Sequence, residues 1–236
     1  MQKILKLAFT DLKLIFRDPS LRVFLLLPIV LFALIVWAVP ALVENYPFLQ
    51  PYLSLMLIVG IIENTQMFSF ISSMVLIDEK ESGVASTYGV IPLRKIEYVV
   101  SRFLFPYLIT VVLNVILLSI QPLYSIPWNL ILMISILAAL VVPVYALGIN
   151  VVVKNRMQGM VYIKAFNMLV LIPIAAFFVP ESFRHLFGVL PTHWIFQSIE
   201  HVTTGNPASW MIIIGLLYFS LLTVWISRLF LKRHFV

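Results

Sequence analysis

The chain of 236 residues contains no cysteine, which excludes disulfides, zinc–thiolate sites and thiol catalysis. Charge is scarce: 11% of residues are Asp, Glu, Lys or Arg, against roughly a quarter in soluble domains. No G-x-x-x-x-G-K-S/T loop is present to cradle a nucleotide phosphate, so any ATP that drives this protein is hydrolysed by another chain. H-E-x-x-H is also missing, and with it the helix-face pairing of two zinc ligands with a base. His185, His193 and His201 stand eight residues apart, a spacing that fits no standard zinc pattern. They are expected to be outer-surface or interfacial side chains without a ligand role. Ser, Asp and His occur, but nothing groups them into a nucleophilic site. No catalytic residue and no metal ligand is therefore expected, and the chain reads as a non-enzyme.

What is abundant is apolar surface. Hydrophobic residues make up 62% of the chain and the mean hydropathy is +1.05, well above soluble proteins. Six runs dominate, approximately Leu21–Val43, Tyr52–Ile77, Phe103–Gln121, Leu130–Val153, Gly159–Pro180 and Ser209–Phe230. Each is long enough to cross ~30 Å of hydrocarbon at ~1.5 Å per residue. The first is too long for a cleaved signal peptide, and Pro40 interrupts its small residues Ala38 and Ala41, so a retained span is expected. The fold class is thus all-α integral membrane, with six transmembrane helices.

Orientation follows from the bases. Fifteen of the sixteen Lys and Arg residues fall at the termini or in alternate connections, and the other three connections hold only Arg184. Cytoplasmic loops carry the basic excess, so both termini are expected inside a bacterial-type inner membrane. The formal charge of +6 then reflects topology and contact with anionic lipids, not nucleic-acid binding. Residues 1–19 read as an amphipathic helix in the inner interface. Lys3, Lys6, Lys13 and Arg17 share one arc, with Ile4, Leu5, Phe9, Leu12 and Phe16 opposite. The outer connection 181–208 is too apolar for a solvated loop. Short re-entrant or interfacial helices, broken at Pro191 and Gly205, are expected there.

Glu63 is the acid set deep within a span, about 18 Å from either end of the second run at ~1.5 Å per residue. By helical spacing it shares a face with Gln66, Ser69 and Ser73. Lining a path, bonding at a dimer seam and coupling to protons all remain open for it. Asn114, Asn150 and Asn167 suit interhelical hydrogen bonds, and Pro173 suits a kink in span five. Pairing of Lys164 with Glu63 looks difficult, because their expected depths differ by roughly 10 Å.

The most specific text is the inner segment 78–95, where Glu79-Lys80-Glu81-Ser82-Gly83 is followed by Pro92-Leu93. Ser82–Tyr88 is expected to form about two helical turns. This segment resembles the E-R/K-E-x-G … P-L/I signature of type-2 ATP-binding-cassette (ABC) transporter permeases. The outer Leu190-Pro191-Thr192-His193-Trp194, followed by Gly205, resembles the same family's L-P-x-x-W … G pattern. Val84 departs from it, since many members have Thr there.

The resemblance spans essentially the whole chain, 1–236, as one permease domain, and carries several expectations. Segment 78–95 would be a coupling helix seated on a partner ABC ATPase, with Glu79, Glu81, Gly83, Ser86 and Pro92 in contact. Residues 1–19 would be an elbow helix. A second permease subunit, identical or not, would complete a dimer whose spans two and five line the path through Glu63, Gln66, Phe70 and Asn167. Pro191, Trp194 and Gly205 would form an outer gate. ATP and Mg would bind the partner ATPase, with no cofactor in this chain. Phe68, Phe70, Phe166, Phe177 and Phe178 lean toward a hydrophobic or amphipathic cargo (drug, peptide or lipid-like). The alternative is an ATP-independent channel or secondary transporter built on Glu63.

The absence of native cysteine makes the topology directly testable. Single Cys probes replacing Ser125 and Asn206 should react with an impermeant thiol reagent from outside intact cells, and one replacing Ser86 should not. External labelling at Ser86 reverses the orientation.

Overall fold

Hydrocarbon offers the backbone no water, so each apolar run must close its hydrogen bonds internally and coils into a helix. The computed structural model describes Phe16, residues 19–83 and residues 95–234, and among these there are helices and no strands. The amphipathic segment 1–19, apart from Phe16 and the start of a helix at Pro19, lies outside the described residues, as do Ser86, Pro92 and the rest of 84–94.

Six helical segments are long and apolar enough to cross a membrane: Leu21–Asn45, Pro47–Glu81, Ile96–Ile120, Trp128–Val152, Arg156–Phe178 and Ser209–Arg233, here spans one to six. This is a multi-pass, all-helical membrane protein. Spans two and four form its centre, with 61% and 67% of their most apolar windows buried, against 17–28% in the other four. Trp37, Trp128, Trp210 and Trp225 are exposed, as interfacial anchors require.

Prolines break three spans at definable places. Span one runs as a helix over Leu27–Ala33, opens into a π turn at Leu34–Ala38 and resumes over Val39–Asn45, with Pro28 and Pro40 each lacking an N–H to donate. Span four consists of Trp128–Ala139 and Val141–Val152 meeting at Leu140, because Pro143 cannot bond the carbonyl four residues back. Span five tightens from an α-helix, Arg156–Leu171, into a 3-10 helix, Ile172–Phe178, with Pro173 at the junction where the kink is expected.

Span two ends later than its hydropathy suggests. Its helix Leu53–Glu81 continues through Asp78, Glu79, Lys80 and Glu81, residues expected in the cytoplasmic connection. Ser82 and Gly83, expected to open the short coupling helix, instead form the turn after span two, with Gly83 at φ 72°. Among the described residues nothing lies within 4 Å of a Cβ built there, and its positive φ is what the turn requires of glycine. Gly159 has the opposite role: a Cβ there would lie 2.6 Å from Ile77 Cδ1, where span five crosses span two.

Asparagines join the spans as expected. Asn64 Nδ2 donates to Asn114 Oδ1 at 2.7 Å, and Asn114 Nδ2 to Thr65 Oγ1 at 3.1 Å, linking spans two and three. Asn150 Nδ2 reaches the Ser73 carbonyl at 3.2 Å, linking spans four and two. The Tyr145 hydroxyl donates to Asn167 Oδ1, linking spans four and five.

The connection between spans five and six, expected on the outer side, folds into the short helices Glu181–Arg184, His185–Val189 and His193–Thr203. The last, here the outer helix, buries Ile195, Phe196 and Ile199 completely and packs on spans two, four and six. It ends at Gly205, φ 76°, where Asn206 N donates to the His201 carbonyl at 2.8 Å and Gly205 N to that of Val202 at 3.3 Å, a Schellman closure.

Replacing Asn114 with Ala should lower stability in detergent by about 1 kcal/mol, the scale of interhelical hydrogen bonds in membranes. A double-mutant cycle with Asn64→Ala should show the two losses to be coupled. Additive losses would mean that the 2.7 Å contact contributes nothing.

Candidate functional site

Helical periodicity alone brings Glu63, Gln66, Met67, Phe70 and Met74 onto one stripe of span two. That stripe faces a cavity of about 500 Å³, closed by Leu21, Phe24 and Leu27 of the first helices and by Arg156, Met160, Ile163, Lys164 and Asn167 of span five. Its wall includes all four residues singled out for a path, Glu63, Gln66, Phe70 and Asn167. Lys164, expected too far away in depth, lines the same cavity, although it forms no ion pair with Glu63. The expected polar stripe is shorter than proposed. Ser69 and Ser73 are fully buried and donate to the carbonyls of Thr65 and Ser69, at 2.8 and 2.7 Å, leaving Glu63 and Gln66 as its open part.

Much of the cavity wall is aromatic or methionine-lined. Phe24 and Phe70 lie with ring centroids 4.4 Å apart, and Met67, Met74 and Met160 supply polarizable, adaptable surface. Against this apolar wall, Gln66 is 3% exposed and neither atom of its amide has a hydrogen-bond partner. Glu63 has no ion pair among the described residues. A buried amide without partners costs roughly 1–3 kcal/mol.

At the inner end of span two, the Glu79-Lys80-Glu81 text turns inward. The Glu79 carboxylate, expected to face a partner ATPase, is buried: Oε1 lies 2.7 Å from Arg102 Nη2, and Oε2 accepts from the Tyr98 hydroxyl at 3.1 Å. The Arg102 guanidinium sits over the Tyr98 ring, 4.7 Å from its centre. Arg102 itself is almost fully buried within the helix Lys95–Ile120. Lys80 Nζ donates to the carbonyls of Asn150 and Val153, at 3.3 and 2.7 Å, capping the C-terminal end of span four. Glu81 Oε2 accepts from the backbone N–H of Arg156, the first residue of span five, at 3.1 Å. Three consecutive side chains thus tie span two to spans three, four and five. No sequence signal marks Tyr98, Arg102 or the span-four carbonyls as partners, because each contact is long-range.

The proposed outer-gate residues gather beside a second cavity, of about 1060 Å³, formed by the connection between spans five and six. Trp194 lines it and donates from Nε1 to the Gly188 carbonyl at 3.1 Å. Gly205 ends the helix that forms its wall, and Pro191 borders an adjoining apolar cleft of about 280 Å³. His185, His193 and His201, expected on the surface or interface, all line this cavity. Burial pushes His193 down to about 4, with His185 adding to the effect, so its imidazole is neutral at ordinary pH.

A six-span helical bundle, with an amphipathic cavity against span two and the E-K-E-x-G segment at its inner end, is a permease of the type-2 ABC class. The chain belongs to the family described as fluoroquinolones export permease protein Rv2686c-like, which matches residues 11–227. It is similar to two proteins of Mycobacterium tuberculosis, the fluoroquinolones export permease proteins MT2760 (strain CDC 1551 / Oshkosh) and Rv2686c (strain ATCC 25618 / H37Rv). Each is 29% identical over 103 residues, 43% of this chain and 40% of the relative's length. No solved structure matches.

Glu79→Gln removes the carboxylate charge 2.7 Å from the buried Arg102 guanidinium and should destabilise the protein by about 3 kcal/mol or more. Replacing both Glu79 and Arg102 with Met should recover most of that loss in thermal unfolding in detergent. A Glu79→Gln protein as stable as the parent would rule out the pair as a structural tie.

Proposed function

We propose that the chain is the membrane subunit of an ATP-driven exporter, working with a second permease subunit and a separate ABC ATPase that binds ATP and Mg. Both termini and the segment 78–95 face the cytoplasm of a bacterial-type inner membrane. The cavity at Glu63 receives an amphipathic aromatic cargo from the cytoplasm or inner leaflet. The names of these two relatives suggest a fluoroquinolone-like drug as the cargo to test first.

The observation that carries this reading is Gln66, a buried amide without partners set beside an unpaired carboxylate in a Met- and Phe-walled cavity. Such a wall accepts a flat apolar body of varied outline, while Glu63 and Gln66 meet its polar groups. The route for force is the inner end of span two. Movement of the coupling segment by an ATPase acts first on Glu79, Lys80 and Glu81, which hold spans three, four and five. A push there displaces span five together with span two, and those spans form opposite walls of the cavity. Pro191, Trp194 and Gly205 shape the outer segment through which cargo leaves.

The test is efflux of a fluoroquinolone from vesicles containing the permease and its co-expressed ATPase. Glu63→Gln keeps the shape of the side chain but removes the charge, and should lower efflux about tenfold, the effect of losing one charge-assisted hydrogen bond. Complex assembly should be unchanged. Efflux that persists without ATP hydrolysis, or a purified permease with no stoichiometric ATPase, would favour a channel or secondary transporter using Glu63 and overturn the proposal.

A further inference from the structure

The outer connections of this chain contain a single cation, Arg184, and three of its four histidines. The outer helix explains why they converge. His193, Gln197, Glu200, His201 and Thr204 follow helical spacing and form one polar stripe, opposite the buried Ile195, Phe196 and Ile199. That stripe is a wall of the cavity of about 1060 Å³, and the short helix Glu181–Arg184 brings Arg184 to it from across the connection.

The acid in this wall is already engaged. Glu200 Oε1 lies 3.1 Å from Arg184 Nη1, and Oε2 accepts from Gln197 Nε2 at 2.9 Å. Three of the residues lining this cavity each hold a buried nitrogen with no hydrogen-bond partner among the described residues: Arg184 Nε, His193 Nδ1 and His201 Nδ1. His193 is 4% exposed, so solvent does not satisfy it. Unpartnered buried polar atoms are uncommon, and three in one wall call for a common explanation. Guanidinium Nε can only donate, whereas each imidazole nitrogen can donate in the appropriate tautomer. The complementary ligand is therefore rich in acceptors. A metal ion does not fit, because Arg cannot ligate it and the described residues contain no metal-binding group of His, Cys, Asp or Glu.

Size and surroundings narrow the class further. The cavity far exceeds a small inorganic ion, and Tyr218 is shared with the apolar cleft of about 280 Å³ lined by Phe166, Leu169, Phe219 and Leu222. The Tyr218 hydroxyl is anchored on the Val189 carbonyl at 2.6 Å, on the border between the polar and apolar spaces. We propose that the outer cavity binds the oxyanionic group, carboxylate or phosphate, of an amphiphile whose apolar part lies in the adjoining cleft. Arg184, His193 and His201 hold the oxyanion. Its source is either an outer-leaflet phospholipid or a carboxylate-bearing molecule on its way out. The site stands apart from the cavity at Glu63, and of its two sources only the departing carboxylate rests on the export reading.

Binding to the purified, delipidated full chain in nonionic detergent tests this in two arms. One compares phosphatidylglycerol with diacylglycerol of the same chains, and the other compares 2-naphthoate with 2-naphthamide. In at least one arm the oxyanionic member should bind tenfold or more tightly than its uncharged counterpart. Preference for phosphatidylglycerol identifies a lipid site, and preference for naphthoate a site for a departing carboxylate. His193→Gln and Arg184→Lys should each remove most of that preference. The lysine variant keeps the positive charge facing Glu200, so the wall retains its ion pair while losing the Nε donor. Circular dichroism and unfolding temperature verify that both variants are folded. Equal binding of charged and uncharged members in both arms, or a preference that survives both folded variants, would overturn the proposal.

Discussion

A buried ion pair organises the inner half of this molecule. Charges are costly to remove from water, and Glu79 and Arg102 offset that cost against each other at 2.7 Å, with Tyr98 adding a hydroxyl to one and a ring face to the other. This pairing allows the span-two helix to continue past the apolar run into its acidic end. Lys80 and Glu81 are then delivered, in register, to the C-terminal carbonyls of span four and the first N–H of span five. Helix ends have unsatisfied groups of definite sign, so a cation at one and an anion at the other are mutually consistent choices.

The two cavities follow from the same economy of polar groups. Most polar side chains in the spans are consumed internally: Asn64 and Asn114 by each other, Ser69 and Ser73 by carbonyls of their own helix, Asn150 by the Ser73 backbone. Some buried polar atoms keep no hydrogen-bond partner among the described residues. Asn64 Oδ1, Ser135 Oγ and Asn150 Oδ1 are such atoms within the spans, whereas Gln66 lines the cavity at Glu63, and Arg184, His193 and His201 line the larger one.

Much of the architecture was legible because hydropathy and helical period are local properties. Six apolar runs became six spans, Pro173 marks a change of helix type, and the i, i+3, i+7 relation of Glu63, Gln66 and Phe70 put them on one wall. What local pattern could not supply was partners. Asp78 to Glu81 read as solvent-exposed connection because charge usually leaves a membrane, whereas they continue the span-two helix, and Glu79, Lys80 and Glu81 meet partners on three other spans. The histidines eight residues apart match no metal motif, yet eight residues is a little over two helical turns, which places His193 and His201 on one face. The position of Arg184 opposite them depends on how the short outer helices fold back, which no periodicity encodes.

The tightening of span five has a consequence for bilayer thickness. This span has 23 residues, whereas spans one, three, four and six have 25. Its sixteen α-helical residues rise about 24 Å and its seven 3-10 residues about 14 Å, together about 38 Å, which equals the rise of 25 α-helical residues. Two missing residues are thus recovered by winding the outer end more tightly, and the span matches its neighbours in hydrophobic length. Were the same residues α-helical throughout, span five would fall about 3.5 Å short, and either the bilayer would thin locally or the outer helices would be drawn inward. Pro173, by blocking the ordinary helical bond at that point, sets the length of the span as well as its bend.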